Sequence, residues 1–464
     1  MLNKPGGWSI PRVACAFAFA VAVAACGSPD APGLALPDVR DTLAAADADA
    51  ATDAATDTDT VADTNTAMDA DAADTADTLP DTAADTADSV DSGPDAADTR
   101  ADADTTLPDL GYDFVYDQAI PRNTAWYVDG GHLWRRGERF PVRGINWFGL
   151  ETTDRAPHGL WTGRTIESFL DQIAALGFNA VRLPLSPDVI RPDLPCASWA
   201  VDGDLDTGRE LLEHVIDLAA ARDLAILLDF HTCSSAIPGG TAGSPSDCVG
   251  YDTDDWLADL AVLAGIAAEH DDTVLGVDLF NEPHELTWPQ WRVLAEDAAR
   301  VVLTNAPTVV VFVQGVADRS DTGGYVPFWG ENLHGALAAP PAIPGARLVY
   351  TPHVYGPGVH AQTYFSAGDF PANMPTVWDA HFGALEERGD AVVIGEFGGW
   401  YDDGIAPGEV AWNDAIVAYI EDRGLGFFYW ALNPTSVDTG GLLEGDWATL
   451  RSARVTLLAP LLAP

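Results

Sequence analysis

From about Leu110 onward, short apolar runs alternate with amphipathic stretches. Strands separated by helical patterns in this way form parallel sheets with crossover helices. A hairpin comes first: Ala125-Trp126-Tyr127-Val128, a turn over Asp129-Gly130-Gly131, then His132-Leu133-Trp134. Eight core strands are predicted over 140–147, 180–185, 224–230, 275–280, 308–313, 347–352, 391–397 and 427–432. Between the first two, Ile166, Phe169, Leu170, Ile173 and Leu176 recur at helical spacing, and Gly177 stands where such a helix ends. Trp256, Leu257, Leu260, Leu263 and Ile266 repeat the pattern, and Thr287 can cap a helix that begins near Pro289. Eight strands, their helices and no surplus strand predict an α/β fold, a (β/α)8 TIM barrel with a short N-terminal β-hairpin. A doubly wound open sheet would bring a glycine-rich phosphate turn after its first strand, and Gly144-Ile145-Asn146-Trp147 is no such turn.

In a (β/α)8 barrel the reactive face lies at the C-terminal ends of the strands. Six of the predicted strands end in polar or aromatic residues. The second ends in Val181-Arg182-Leu183-Pro184, the third in Leu228-Asp229-Phe230-His231 and the fourth in Phe280-Asn281-Glu282-Pro283. The sixth ends in Pro352-His353-Val354-Tyr355, the seventh in Ile394-Gly395-Glu396-Phe397 and the eighth in Tyr429-Trp430. A single such residue is more often structural, because one Arg or His at a strand end commonly satisfies its neighbours and one carboxylate commonly caps a helix. So many ionisable groups converging on one barrel mouth are costly to bury without a task. Glu282 and Glu396, ending strands four and seven, face each other across that mouth. Glycoside hydrolysis requires such a pair, one carboxylic acid to protonate the leaving oxygen and one carboxylate to attack or to activate water.

These motifs carry a resemblance to glycoside hydrolase family 5 over about residues 112–450. Asn281-Glu282-Pro283 is shared with related barrel families; its combination with Arg182, His231, His353-Val354-Tyr355 and Ile394-Gly395-Glu396-Phe397 is the specific signal. Asn146-Trp147-Phe148-Gly149 through His158-Gly159-Leu160-Trp161 resembles the bacterial endoglucanase branch rather than mannanases. So do Tyr429-Trp430-Ala431-Leu432-Asn433-Pro434 with Asp438-Thr439-Gly440-Gly441, and Trp329-Gly330-Glu331-Asn332-Leu333. The loop after His231, with Thr232-Cys233 and a Gly/Ser stretch, departs from that pattern. The resemblance implies a retaining endo-β-1,4-glucanase, with Glu282 as acid/base and Glu396 as nucleophile, about 5–5.5 Å apart. Arg182, His231, Asn281, His353 and Tyr355 become supporting residues, and no cofactor or metal is implied. Sugar faces stack on indoles, and Trp430, ending strand eight, is the first candidate, followed by Trp147, Trp161 and Trp329. Trp126 and Trp291 read as core. Another β-glycan of the same family (mannan, xyloglucan or mixed-linkage glucan) is the alternative substrate. A non-catalytic surface glycan-binding module is the alternative of a different class.

Composition divides the 464 residues into three parts: 1–26, 27–110 and 111–464. Lys4 and Arg12 precede an apolar run from Val13 to Ala25, too short to span a bilayer comfortably and ordered like a signal peptide. It ends in Val23-Ala24-Ala25-Cys26, which resembles a bacterial lipobox. The resemblance implies a membrane anchor through acylated Cys26, each buried CH2 contributing about 0.8 kcal/mol. Outer-surface display follows from Gly27, which is not the Asp that signals retention. Residues 27–110 are nearly all Asp, Ala and Thr, without aromatics, and burial there cannot offset the entropy of ordering. They predict a disordered spacer reaching on the order of 50 Å. The spacer carries much of the formal charge of −48, which opposes binding to nucleic acid. Five cysteines include Cys15 and Cys26 and leave Cys196, Cys233 and Cys248 in the barrel part. Cys233 and Cys248 share one Gly/Ser/Pro-rich loop and are the favoured pair, with Cys196 pairing with either left open. No C-x-x-C pair or clustered histidines suggest a metal. A monomer is the default expectation.

Overall fold

The computed structural model of the chain describes residues 124–237, 242–319, 322 and 324–463. The expected signal peptide, Cys26 and the spacer lie outside them. Strands β1 (Trp126–Asp129), β2 (His132–Arg135) and β3 (Glu138–Arg139) form a small antiparallel sheet, one short strand more than the expected hairpin. Asp129 pairs with His132 across Gly130 and Gly131, whose φ angles of 60° and 76° are those a two-residue hairpin turn requires.

The barrel follows as β4 (Arg143–Asn146), β5 (Ala180–Leu185), β6 (Ala225–Phe230), β7 (Val274–Asp278), β8 (Val310–Val313), β9 (Leu348–Tyr350), β10 (His353–Tyr355), β11 (Val393–Gly398) and β12 (Gly426–Tyr429). All are parallel, in the order β10-β11-β12-β4-β5-β6-β7-β8-β9. The predicted sixth strand is present in two pieces, β9 and β10, interrupted at Thr351-Pro352 because proline has no N–H for the ladder. Tyr350 of β9 also bridges to Val392, beside β11, so the sheet closes on itself. Eight strand positions result, and the fold is the (β/α)8 barrel.

Alternation along each strand creates two apolar layers. Ile226 and Leu228 of β6 face outward into the large core under the helices. Ala225 and Leu227 face inward and join Val310, Phe312, Val349, Val393 and Phe428 inside the barrel. Trp126, Val128 and Leu133 of the hairpin belong to this inner cluster, so the hairpin plugs the N-terminal end of the barrel. Space there is tight: a β-carbon on Gly144 would stand 2.1 Å from the Phe428 ring, so glycine on one strand makes room for the aromatic on its neighbour.

The outer layer contains α1 (Ile166–Ala175), α2 (Gly208–Ala220), α3 (Thr253–Glu269) and α4 (Trp288–Asn305). Helix α1 buries Ile166, Phe169, Leu170 and Ile173, is capped by Thr165, and is followed by Gly177 at φ 96°. Helix α4 starts after Thr287, whose N–H and hydroxyl both donate to Gln290 Oε1. Trp126 and Trp291 are fully buried.

Candidate active site

Strand ends from all around the barrel deliver the polar residues to one mouth. Arg182, on β5, is fully buried and is the hub. Its guanidinium donates to Glu396 Oε1 at 2.5 Å, Asn146 Oδ1 at 3.0 Å, Asp278 Oδ2 at 3.0 Å and Asn281 Oδ1 at 3.0 Å. Asp229 Oδ2 lies 3.0 Å from it as well. Because Arg182 can only donate, the Asn281 oxygen faces it and the Asn281 amino group faces the cleft. Asn146 repeats this logic, its amino group donating to the carbonyls of Gly395 and Tyr429 at 3.3 Å each and tying β4 to the strand that carries Glu396.

Glu396 is gripped from the other side by the Tyr355 hydroxyl, which donates to Oε2 at 2.5 Å. His353, paired with Glu396 in the β10–β11 ladder, places Nδ1 3.0 Å from Glu282 Oε1 and 3.5 Å from Glu396 Oε2. One oxygen from each glutamate and a nitrogen of His353 lie within 4.8 Å of one another. Glu282 itself has φ 49°, an unfavourable conformation for a side-chain-bearing residue. Its N–H donates to Gln314 Oε1 at 2.8 Å, and Gln314 Nε2 donates to Asp278 Oδ2 at 2.8 Å, so the strained residue is braced back to the Arg182 cluster. His231 Nδ1 is 2.6 Å from Asp229 Oδ2.

Burial and charge set the protonation states. Burial, and then the charge of Glu396, push the Glu282 carboxyl well above the ordinary carboxylate range. Burial raises Glu396 too, but the Arg182 cation opposes that rise. Burial drives His353 well down and His231 to about 4, so both imidazoles are neutral near pH 7. Burial lifts Asp229 and Asp278 to about 7, against the pull of Arg182, and the charge of Asp229 adds to the rise of Asp278.

The cleft above these groups has a volume of about 510 Å3 and is lined by His231, Asn281, Glu282, Tyr355, Glu396, Trp329, Trp430 and Asp438, among others. Trp430 is held nearly parallel to Phe148 and to His231, at centroid distances of 5.6 and 5.9 Å. Trp329 is 43 % exposed and stands on the Glu282 side, next to Gly330, where a β-carbon would lie 3.4 Å from Glu282 Cα. Trp161 is 42 % exposed but does not line this cleft; it packs edge-on against His158, Trp199 and Trp447, further along the same aromatic row. Trp147 is corrected from a substrate contact to a core residue. It is fully buried against Phe169, and its indole N–H donates to the His158 carbonyl at 2.9 Å.

Sequence reading passed over Asn146, Asp278 and Gln314 as site residues and gave Asp229 no role. Asp278 had a signal, a lone carboxylate inside the apolar run 274–280. Gln314 follows the predicted strand 308–313, whose end was not among the six polar or aromatic ones, and had none. Cys233 and Cys248 are joined by a disulfide, with a Cα–Cα distance of 5.9 Å, and Cys196 is a buried free thiol.

Two carboxyl groups at this spacing, one held protonated and one held by a cation, in a polyol-sized cleft at the mouth of a (β/α)8 barrel, define a glycoside hydrolase. Residues 136–436 match the cellulase family, glycosyl hydrolase family 5. The chain is 40 % identical over 342 residues to the major extracellular endoglucanase of Xanthomonas campestris, covering 70 % of this chain and 68 % of that protein. It is 35 % identical over 374 residues to an endoglucanase of Paenibacillus polymyxa, covering 76 % and 91 %. Its fold matches that of the Pyrococcus horikoshii endocellulase solved with cellotetraose, with a TM-score of 0.69 and 31 % identity, over 74 % of this chain and all of that one. The chain belongs to glycosyl hydrolase family 5.

Proposed function

We propose that the protein is a retaining endo-β-1,4-glucanase acting on cellulose or related β-glucans. The observation that carries this reading is the convergence of Glu282, His353 and Glu396 within 4.8 Å. Retaining enzymes hold their carboxyl groups about 5–5.5 Å apart, whereas inverting ones leave about 6.5–9.5 Å for a water. The named activities of the Xanthomonas, Paenibacillus and Pyrococcus relatives support the same substrate class.

In the first step Glu396 attacks the anomeric carbon and forms a glycosyl ester, while Glu282 gives its proton to the departing oxygen. Arg182 and Tyr355 hold the attacking carboxylate, and the Asn281 amino group bonds the 2-hydroxyl, an interaction that strengthens in the transition state. Once Glu396 is esterified its charge is gone, the Glu282 pKa falls, and Glu282 takes a proton from water as that water opens the ester. Trp430 and Trp329 stack on sugar faces, and Trp161 serves a more distant sugar.

Reducing-sugar release from carboxymethylcellulose, lichenan, xyloglucan and mannan, comparing the full chain with its Glu396→Gln variant, tests this. Activity on the first two that vanishes in the variant is expected. Activity confined to mannan or xyloglucan overturns the substrate, and glucan binding without release from any of the four favours the non-catalytic module. We also propose export of a monomer anchored through acylated Cys26, on the strength of residues 1–26 and the extracellular Xanthomonas relative. Loss of membrane-fraction protein in Cys26→Ser is the expected result; unchanged fractionation overturns the anchor.

A further inference from the structure

The loop that follows β6 is closed by the Cys233–Cys248 disulfide, and both cysteines are buried. Its Gly243 carbonyl accepts the backbone N–H of His284 at 3.2 Å. A β-carbon on Gly243 would stand 2.9 Å from His284 Nε2 and 2.7 Å from Glu285 Cγ, so the loop backbone lies directly against the segment just beyond Glu282.

His284 is fixed from two further directions. Its Nδ1 lies 2.8 Å from the Glu282 carbonyl oxygen, and since a carbonyl only accepts, Nδ1 carries the proton and donates. The Trp329 indole lies flat on the imidazole, with ring centroids 3.8 Å apart and an interplanar angle of 11°. Trp329 is half exposed on a loop, and a flat stack of this kind is what gives its ring a defined orientation. It lines the cleft beside Glu282, the residue that protonates the leaving oxygen, whereas Trp430 lies on the far side with His231 and Phe148.

We infer that His284, backed by the disulfide-closed loop, is a positioning residue that sets the Trp329 platform for the leaving-group sugar. The inference rests on the glucanase reading of the cleft. It makes the loop after His231, which departs from the family pattern, the part of this chain that tunes recognition on the leaving-group side. His284 touches neither glutamate's carboxyl group, so its effect should depend on whether a sugar occupies that side.

The test compares cellopentaose, whose leaving group is a sugar, with β-cellobiosyl fluoride, whose leaving group is a single atom, on the full chain. His284→Ala is expected to lower kcat/KM on cellopentaose by about fivefold to tenfold, mostly through KM, the size of a lost aromatic stack. The fluoride rate should stay within about twofold on the same argument. His284→Phe, which keeps a flat ring under Trp329, should restore most of the cellopentaose rate. The double variant Cys233→Ser/Cys248→Ser should reproduce the His284→Ala pattern. Equal losses on both substrates, or no loss on cellopentaose, overturn the inference. Wild-type protein that cleaves neither substrate overturns the glucanase reading itself, a result distinct from any variant pattern.

Discussion

Arg182 Nη1 lies 2.5 Å from Glu396 Oε1 while the same guanidinium contacts Asp229 and Asp278, all with side chains at most 4 % exposed. One cation therefore both aims the Glu396 carboxylate and offsets two carboxylates buried behind it. Lysine at this position would supply a single point charge and lose the fork that reaches Asn146, Asn281 and the acids together. Arg182→Lys is expected to lower kcat on a soluble cello-oligosaccharide by about a thousandfold, in line with the loss of a group that preorganises the reacting charge. Arg182→Ala leaves buried carboxylates without their partner, which costs about 3–5 kcal/mol. Kinetics together with Tm check both; an Arg182→Ala protein as stable as wild type removes the hub role.

The two glutamates should separate by leaving group. Glu396→Gln removes the attacking carboxylate and should be inactive on every substrate. Glu282→Gln removes only the proton donor, so cleavage of β-cellobiosyl fluoride, whose leaving group needs no proton, should proceed while cellopentaose cleavage falls by about 10²–10⁴-fold, the range of general acid catalysis. A burst of fluoride release from Glu282→Gln, followed by slow turnover, would report the glycosyl ester waiting for a base. If Glu396→Gln retains fluoride activity and Glu282→Gln does not, the roles are reversed.

Much of this was legible because barrel chemistry is written at strand ends. The pattern over 180–185 coincides with β5, and that over 224–230 starts one residue before β6, since both faces of these strands are buried and the apolar runs have sharp limits. Other strands are shorter than their apolar runs: at 140–147 the ladder covers only Arg143–Asn146, and the next residue, Trp147, turns outward onto Phe169. That turn is also why Trp147 misled as a sugar platform: an indole in a motif beside a strand end reads alike whether it faces the cleft or the helices. Gln314 was illegible for a different reason, since its role is to accept the N–H of Glu282, a contact that exists only after the chain has folded.

The pH response follows from the raised pKa of Glu282. The first step needs Glu282 protonated, so activity should persist above the ordinary carboxylate range and fall as pH rises through the elevated value. Both Glu396 and Asp438 contribute negative charge that raises it. Asp438→Asn should therefore move the alkaline limb of kcat/KM to lower pH, and an unchanged or alkaline-shifted limb would contradict the assignment. Stability has the same sign. A carboxyl whose folded pKa lies above its unfolded value favours folding fully below the unfolded pKa, and that contribution is lost as pH rises through the folded one. Glu282→Gln should accordingly lose less Tm than wild type as pH rises from the ordinary carboxylate range through the raised folded value.

Gly395, next to Glu396, is the position where a single methyl group should do the most damage. A β-carbon there would stand 2.5 Å from Thr351 Oγ1 and 2.7 Å from His353 Nε2, closer than any real β-carbon sits. Neither neighbour can retreat easily, since Thr351 and His353 are fully buried and the His353 ring is held by Glu282 on its other edge. Gly395→Ala must therefore push the imidazole toward the two glutamates or swing it out of their reach. A displacement of about 1 Å in a preorganised site costs on the order of 100-fold in rate. The binding surfaces at Trp430 and Trp329 are untouched, so the loss should fall on kcat while KM stays near the wild-type value. Steady-state kinetics on cellopentaose separates the two parameters. A rise in KM with kcat intact would mean that Gly395 serves sugar binding rather than the placement of His353.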